Sequence, residues 1–559
     1  MALPWRTFSA VSLITAYFVT AGYPSQWRIL WFVTNFLAGW AVQLFGFVIW
    51  RVVLWPKLFS PLIGLPEPSG NSFFNGQWKI ISEKTSGVPM MEWVNTIPHD
   101  GLIRYQGLFN IERVMPCSAK ALGEVLVTKN YDFQKPSQMR WGLARILGIG
   151  LLLAEGEEHK FQRRNLLPAF AFRHVKDLYA TFWKISREGV QVMTEQILAD
   201  AAKGPVLDDE KLPENTAVTE VGNWASRMTL DIIGVAGLGR DFNAIHDPNN
   251  ELNQTYRTLL APNKQARILD ILSIILPGWM VAKLPLKRNG TVSHAADFIR
   301  QTCRALIEEK KTKLAENKLH DLDILSVALE SGAFTDENLV DQLMTFLAAG
   351  HETTASAMTW AIYMLCLHQD VQTRLRDEIR SHLPSLSEDT AEVTSQEIDH
   401  LPYLNAVCNE VLRYYPPAPL TIREAAVDTT ICDHPIPKGT RVIIIPNAIN
   451  RSKSLWGEDA DKFNPDRWLP KFEGDKGAAS GHATSNYAFL TFLHGPRSCI
   501  GQGFAKAEFA CLLAAWVGRF QFEIRDKAEL DEKNMVIKGG ITMRPANGLW
   551  VKATVLDGW

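Results

Sequence analysis

Phe492-Leu493-His494-Gly495-Pro496-Arg497-Ser498-Cys499-Ile500-Gly501 sets one cysteine in a glycine-bracketed turn, with an arginine two residues before it. An apolar, helix-forming run from Phe504 to Trp516 follows. A free thiol has a pKa of about 8.5 and ligates poorly until its anion is favoured. Backbone N–H groups, a helix N-terminus and a bound metal all favour it. Gly495 and Gly501 suit a backbone that must approach a large flat ligand. Phe492 can cover the sulfur from one side. These needs are met together when a thiolate binds haem iron axially.

Working outward, the chain of 559 residues shows no low-complexity linker, charge block or internal repeat from about residue 70 onward. Its net charge of -2, with no lysine/arginine stripe, argues against nucleic acid as a partner. The cysteines are Cys117, Cys303, Cys366, Cys408, Cys432, Cys499 and Cys511, scattered and without a Cys-x-x-Cys pair. That distribution points to a reducing compartment, and to neither a disulfide framework nor a zinc site.

Residues 29–50 are strongly apolar, bracketed by Arg28 and Arg51 and flanked by Trp27, Trp31, Trp50 and Trp55. Such a run can cross a hydrocarbon core of about 30 Å with its rings at the interface. Residues 8–23 form a weaker second candidate, so residues 1–55 read as a membrane anchor of one or two transmembrane helices. Two crossings would place Arg6, Arg51 and Lys57 in the cytosol and leave only Arg28 in the short loop. Pro56, Pro61, Pro66 and Pro68 predict a stiff, extended hinge over residues 56–69, before a catalytic domain over residues 70–559. The Asn-x-Ser/Thr sites at Asn253, Asn289 and Asn450 are expected to be unmodified in a cytosolic domain.

Within that domain, residues 102–109 and 111–115 read as strands, and residues 118–127 as a helix capped by Ser118. His159 and Arg163 stand four apart, hence on one helix face, where two donors suit a carboxylate. Trp141 and Arg145 repeat the spacing as a decoy. Residues 173–330 are mostly amphipathic helix patterns, with an unusually apolar run over residues 268–281 that reads either as core or as a segment dipping into a bilayer. Thr335 is expected to cap a long helix reaching about His368, with Ala349-Gly350-His351-Glu352-Thr353-Thr354 midway. An acid and two threonines are odd in a buried helix, and threonine hydroxyls there bond back to the preceding turn or to a ligand. A further helix over residues 401–414 sets Glu410 three residues before Arg413, and Arg467 downstream could complete a buried cluster with them. Residues 416–423, Pro-Pro-Ala-Pro-Leu-Thr-Ile-Arg, read as extended chain entering a strand, and residues 441–445 as another strand.

The pattern Phe-x-x-Gly-x-Arg-x-Cys-x-Gly resembles the haem-binding signature of cytochrome P-450 enzymes, and the other motifs follow in that family's order. The resemblance implies a mostly α fold with a smaller β-rich portion, preceded by the membrane anchor, and a haem b cofactor ligated by Cys499. By it, Arg497, Arg423, His159 and Arg163 would bind the haem propionates, and Phe492, Gly495 and Gly501 would shape the cysteine turn. Thr353 would hydrogen-bond dioxygen and Glu352 would feed protons through water. Glu410, Arg413 and Arg467 would form a structural cluster. Ala418, Leu420, Ile422, Ile541 and Thr542, the last two in a turn over residues 539–543, would face the substrate.

No Gly-x-Gly-x-x-Gly unit is present, so electrons are expected from NADPH through a separate flavin-bearing reductase, with cytochrome b5 as a further donor. Lys160, Arg164 and Lys506 are candidate docking cations. The resemblance further implies an endoplasmic reticulum membrane with the catalytic domain facing the cytosol. The overall flavour resembles filamentous-fungal enzymes that oxygenate terpenoid or polyketide skeletons. Fatty-acid hydroxylation, a reductase-independent haem-thiolate isomerase or dehydratase, and a non-enzymatic haem carrier are the alternatives.

Overall fold

Thr335 Oγ1 accepts from Asn338 N and starts the helix Asp336–Leu367, with Asp336 and Glu337 complementing the dipole of its first turn. Beyond that turn the sequence is apolar or small on nearly every side, and residues from Leu339 to Cys366 are buried around most of its circumference. Its 32 residues run unbroken for about 48 Å. Val221–Ile232, Lys287–Ala315 and Gln502–Arg519 pack against it, and this central helix is the axis of the molecule. The structure, a computed structural model, describes residues 4–559 apart from 85–86, 204–211, 261–263, 277, 317–322, 388–392 and 539.

Helices dominate, and the strands form small sheets. The largest orders Leu102–Gln106, Glu112–Pro116, Arg441–Ile444, Thr421–Ala425 and Phe133–Gln134 side by side. Leu102 faces Pro116 and Gln106 faces Glu112 in the first antiparallel pair. The first strand ends at Gln106, earlier than its apolar pattern suggests, because Phe109 and Asn110 take φ of 56° and 49° to make the turn. Ser118 Oγ does cap its helix, accepting from Ala121 N at 3.2 Å. A second sheet pairs Thr216–Glu220 and Phe520–Ile524 with Trp550–Val555, tying the C-terminal strand to the chain's middle.

Near the N-terminus, helix α1 (Trp5–Thr20) turns back into helix α2 (Ser25–Ile49). The stretch after α2 corrects the hinge reading. Helix continues from Trp50 to Phe59 through Pro56, in the wider form with i→i+5 bonds, and turns over residues 60–65 follow before the chain extends at Pro66. The widened turn accommodates the ring that an ordinary α-helix would meet with a clash.

The run over residues 268–281 is not a core helix. It divides into Lys264–Ile275 and Gly278–Ala282, and Ile268, Trp279 and Met280 are 51%, 59% and 40% exposed. Asn253, Asn289 and Asn450 are all buried, so the folded domain has no room for a glycan at any of them.

Candidate active site

The cysteine turn is closed by Cys499 N donating to Phe492 O at 2.8 Å and by Leu493 in a left-handed conformation (φ 55°). Gly501 then caps the helix Gln502–Arg519, so the sulfur lies just ahead of a helix N-terminus. Cys499 is exposed, whereas the helix's apolar face from Phe504 onward is covered. Surrounding protein pushes its thiol up, while the Gly501 N–H and the Arg163 guanidinium pull it back toward the anion.

The two glycines differ in what surrounds them. Gly495 has φ +75°, and a Cβ there would meet Leu126 O at 2.2 Å. It is needed for the hand of the turn and for packing on the neighbouring segment. A Cβ on Gly501 would make only ordinary contact with Phe170, at 3.6 Å.

His159 and Arg163 share the helix Gly156–Leu166, but the structure divides their tasks. Arg163 Nη1 donates to Ser498 O at 2.8 Å and its Nη2 to Ser498 Oγ at 3.2 Å, fastening this helix to the cysteine turn. His159 lies buried with Nδ1 3.4 Å from Tyr131 Oη. Burial, then Arg497, Lys135, Arg163 and Arg423, bring its pKa down to about 4, so the ring is neutral.

Those neighbours form a buried cation cluster. Arg497 makes ionic contact with Glu155, yet its Nε and Nη2 have no hydrogen-bond partner among the described residues. Arg423 Nη1 donates to Thr421 Oγ1 at 2.8 Å, and burial followed by Arg497 lowers its pKa to about 10. Lys135 Nζ is 3.9 Å from Glu155, and burial with Arg423 holds its ammonium well below the usual lysine range. One carboxylate thus faces three buried cations. Such a cluster is costly unless anions complete it, and the two propionates of a haem supply the missing charge. With the thiol beside it, the donor set fits haem. Lys135, Glu155 and Tyr131 were not found from the sequence.

On the central helix, Thr353 Oγ1 bonds back to Ala349 O at 2.7 Å and Thr354 Oγ1 donates to Glu508 Oε2 at 2.9 Å. Glu508, on the helix after the cysteine, is fully buried, its other oxygen has no partner among the described residues, and burial raises its carboxyl well above the usual range. Glu352 is 3% exposed and is held by the chain's last segment. Thr542 Oγ1 donates to Glu352 Oε1 at 2.7 Å, and Arg544 forms an ion pair with Oε2. One and two turns further on, Ser356 Oγ and Trp360 Nε1 both donate to Met543 O, at 2.7 and 3.0 Å. One stripe of the helix is therefore stitched to residues 542–544. Burial raises the Glu352 carboxyl, and Arg544 and Thr542 draw it part of the way back.

Glu410, Arg413 and Arg467 do come together. Arg413 forks onto Glu410 through Nε (2.8 Å) and Nη2 (2.7 Å), and Arg467 Nε reaches the same carboxylate at 3.1 Å. Asn464 N and Trp468 Nε1 add donors at 2.7 and 2.9 Å. Glu410 and Arg413 are both 0% exposed, so this is a buried fastening, with no open face for a ligand.

The cytochrome P450 family pattern matches residues 106–551. The chain belongs to the cytochrome P450 family. Among similar proteins, cytochrome P450 monooxygenase sphH of Aspergillus fumigatus is 47% identical over 532 residues, covering 94% of each chain. Cytochrome P450 monooxygenase ALT8 of Alternaria alternata is 43% identical over 554 residues, covering 91% of this chain and 92% of its own. Cytochrome P450 monooxygenase FUM15 of Gibberella moniliformis is 44% identical over 545 residues, with 90% of each chain covered. This P450 is a haem-thiolate monooxygenase, with haem b as its cofactor and its electrons supplied by a reductase.

Other expected positions fall into place or move. Met543 N donates to Pro417 O at 2.9 Å, which makes the two expected pocket segments neighbours. Ala418 is exposed, Leu420 and Ile422 are half-buried and Ile541 is 44% exposed; Thr542 is buried with its hydroxyl given to Glu352. Gly539, the expected start of that turn, lies outside the described residues. The decoy pair is elsewhere: Trp141 is 65% exposed and Arg145 donates to Asn289 Oδ1 at 3.0 Å. Lys506 is not a free surface cation, because it donates to Asn409 Oδ1 at 2.9 Å and burial lowers its pKa. Lys160 is paired with Glu157 at 2.5 Å, and of that trio only Arg164 is exposed with no ion-pair or hydrogen-bond partner among the described residues.

Proposed function

We propose that this P450 is a membrane-anchored oxygenase that puts one atom of O2 into a lipophilic small molecule, as a hydroxyl or an epoxide. Electrons come from NADPH through a separate reductase at the endoplasmic reticulum membrane, the catalytic domain facing the cytosol. The observation that carries the reading is an exposed Cys499 at a helix N-terminus beside three buried cations matched by a single carboxylate. When bound, haem supplies the activation of O2. Cys499 would hold its iron, with Arg163 and the Gly501 N–H favouring the thiolate. Lys135, Arg423, Arg497 and His159 would hold its carboxylates.

On the central helix Thr353 carries a hydroxyl that donates to Ala349 O, and Glu352 beside it is the group able to hold or pass a proton. The kinship with fungal monooxygenases favours secondary metabolism, with terpenoid or polyketide skeletons as the substrate class. The test is a carbon-monoxide difference spectrum of the reduced protein, followed by a lipophilic-metabolite panel read by Soret shift and product mass. Thiolate-type absorption with NADPH-dependent gain of one oxygen atom is expected. Conversion without NADPH and reductase would favour an isomerase instead. Cys499→Ala should abolish both the spectrum and the product.

A further inference from the structure

Helix α1 lies antiparallel along α2 after a turn over residues 21–24. Phe8, near the start of α1, meets Trp40 and Phe47, near the end of α2, with ring centroids 5.6 and 5.9 Å apart. The N-terminal end of α1 and the C-terminal end of α2 therefore lie at one level. Helix Ser25–Phe59 is apolar enough to cross a membrane, and its outward residues include Ile29 and Val42, 81% and 71% exposed.

On α1 the covered residues recur every fourth position: Phe8, Ser12, Ala16 and Thr20. They cover a polar side chain of α2. Gln43 Nε2 donates to Ser12 Oγ at 2.8 Å and to Phe8 O and Gly39 O at 3.2 Å. Trp40 Nε1 donates to Ser9 Oγ at 3.1 Å. An amide at hydrocarbon depth needs such partners, and small residues let two helices approach closely enough to provide them. Gly39 is the close point, where an added Cβ would be 3.2 Å from Ser12 Oγ. The only charged residues before Ser60 are Arg6, Arg28, Arg51 and Lys57, and all but Arg28 fall at the open end of this hairpin. At 16 residues α1 is about 24 Å long, slightly short of the hydrocarbon core, a mismatch that local thinning absorbs.

We propose that α1 and α2 cross the membrane together as a clasped hairpin, so that the N-terminal end and the catalytic domain share one side. This rests on the reading that α2 spans a membrane.

The test uses the full chain made with endoplasmic reticulum microsomes. One version carries a glycosylation acceptor in a long Gly/Ser-rich insertion between Gly22 and Tyr23; another carries the same acceptor segment before Met1. Modification of the insertion alone, in protein that resists carbonate extraction, is expected. Modification of the N-terminal segment overturns the hairpin while leaving a single-span anchor intact. Carbonate-resistant protein modified at neither place overturns the double crossing, and release by carbonate overturns the anchor itself.

A second measurement reads the packing. A Cβ on Gly39 would lie 3.6 Å from Ser12 Cβ, inside the span of about 3.5–4.5 Å that a disulfide bridges. With Ser12→Cys and Gly39→Cys together and a protease site in the insertion, the cleaved N-terminal piece should stay attached until reductant is added. Each single variant should lose it at once. Loss from the double variant without reductant refutes the clasp.

Discussion

Replacing Glu410 by glutamine removes one charge from an ion pair whose two partners are both fully buried. The carboxylate accepts five hydrogen bonds, from Arg413 Nε and Nη2, Arg467 Nε, Asn464 N and Trp468 Nε1. Glutamine offers one acceptor oxygen, and its NH2 would point at groups that are themselves donors. Arg413, at 0% exposure, would then lack its counter-ion, and Arg467, at 6%, would keep only Asp459. Breaking a buried pair in this way costs about 3–5 kcal/mol, or two to four powers of ten in the folded-to-unfolded ratio.

Pulse proteolysis of the full chain in detergent, across a urea series, reads that change directly. Haem content per mole of soluble protein should fall in parallel. A loss below about 1 kcal/mol would show the cluster to be no stronger than a surface pair and refute the reasoning. The pH dependence has a definite sign. Burial alone would raise the Glu410 carboxyl, but Arg413, Arg467 and the Asn464 N–H together hold it below the ordinary value. The stabilisation is thus complete above the unfolded glutamate pKa of about 4.3 and is lost as pH falls through the lower folded value. In Glu410→Gln that acid-induced loss should shrink.

Three further outcomes are expected. Lys135→Met would remove the charge-assisted contact proposed between that ammonium and a haem carboxylate, and since such contacts are worth about 1.5–3 kcal/mol, haem should transfer to apomyoglobin roughly 10- to 100-fold faster; an unchanged rate removes Lys135 from the cofactor site. Arg544→Gln takes away the cation that draws the Glu352 carboxyl downward, so its protonated infrared band should persist to higher pH than in the parent. Thr353→Ala should keep its haem and thiolate spectrum but divert reducing equivalents to peroxide, measured as the ratio of product formed to NADPH consumed.

Local sequence revealed what local physics determines. The cysteine turn, the Thr335 cap and the Glu410/Arg413 pair could be read because turn residues, capping and the helix repeat act over a few positions. Of the cation cluster, Arg423 and Arg497 were reachable through the resemblance. Lys135 and Glu155 were missed because they come from segments far along the chain from those arginines, and a lone lysine gives no sign of being buried. The hold on Glu352 escaped for the same reason: its partners lie 190 and 192 positions away. Lys506 misled in the opposite direction, since a cation on a helix reads as solvated until Asn409 is found beside it. Pro56 was read as a break because the tightness of an α-helix was assumed.

Glu508 has a consequence for anyone redesigning this enzyme. Burial raises its carboxyl well above the usual range and so favours the protonated form, which is close in shape and polarity to a primary amide. Glutamine should therefore be tolerated where aspartate, one carbon shorter, would lose its reach to Thr354. The letter that reads as a surface charge in the sequence is, at this position, buried joinery between two helices.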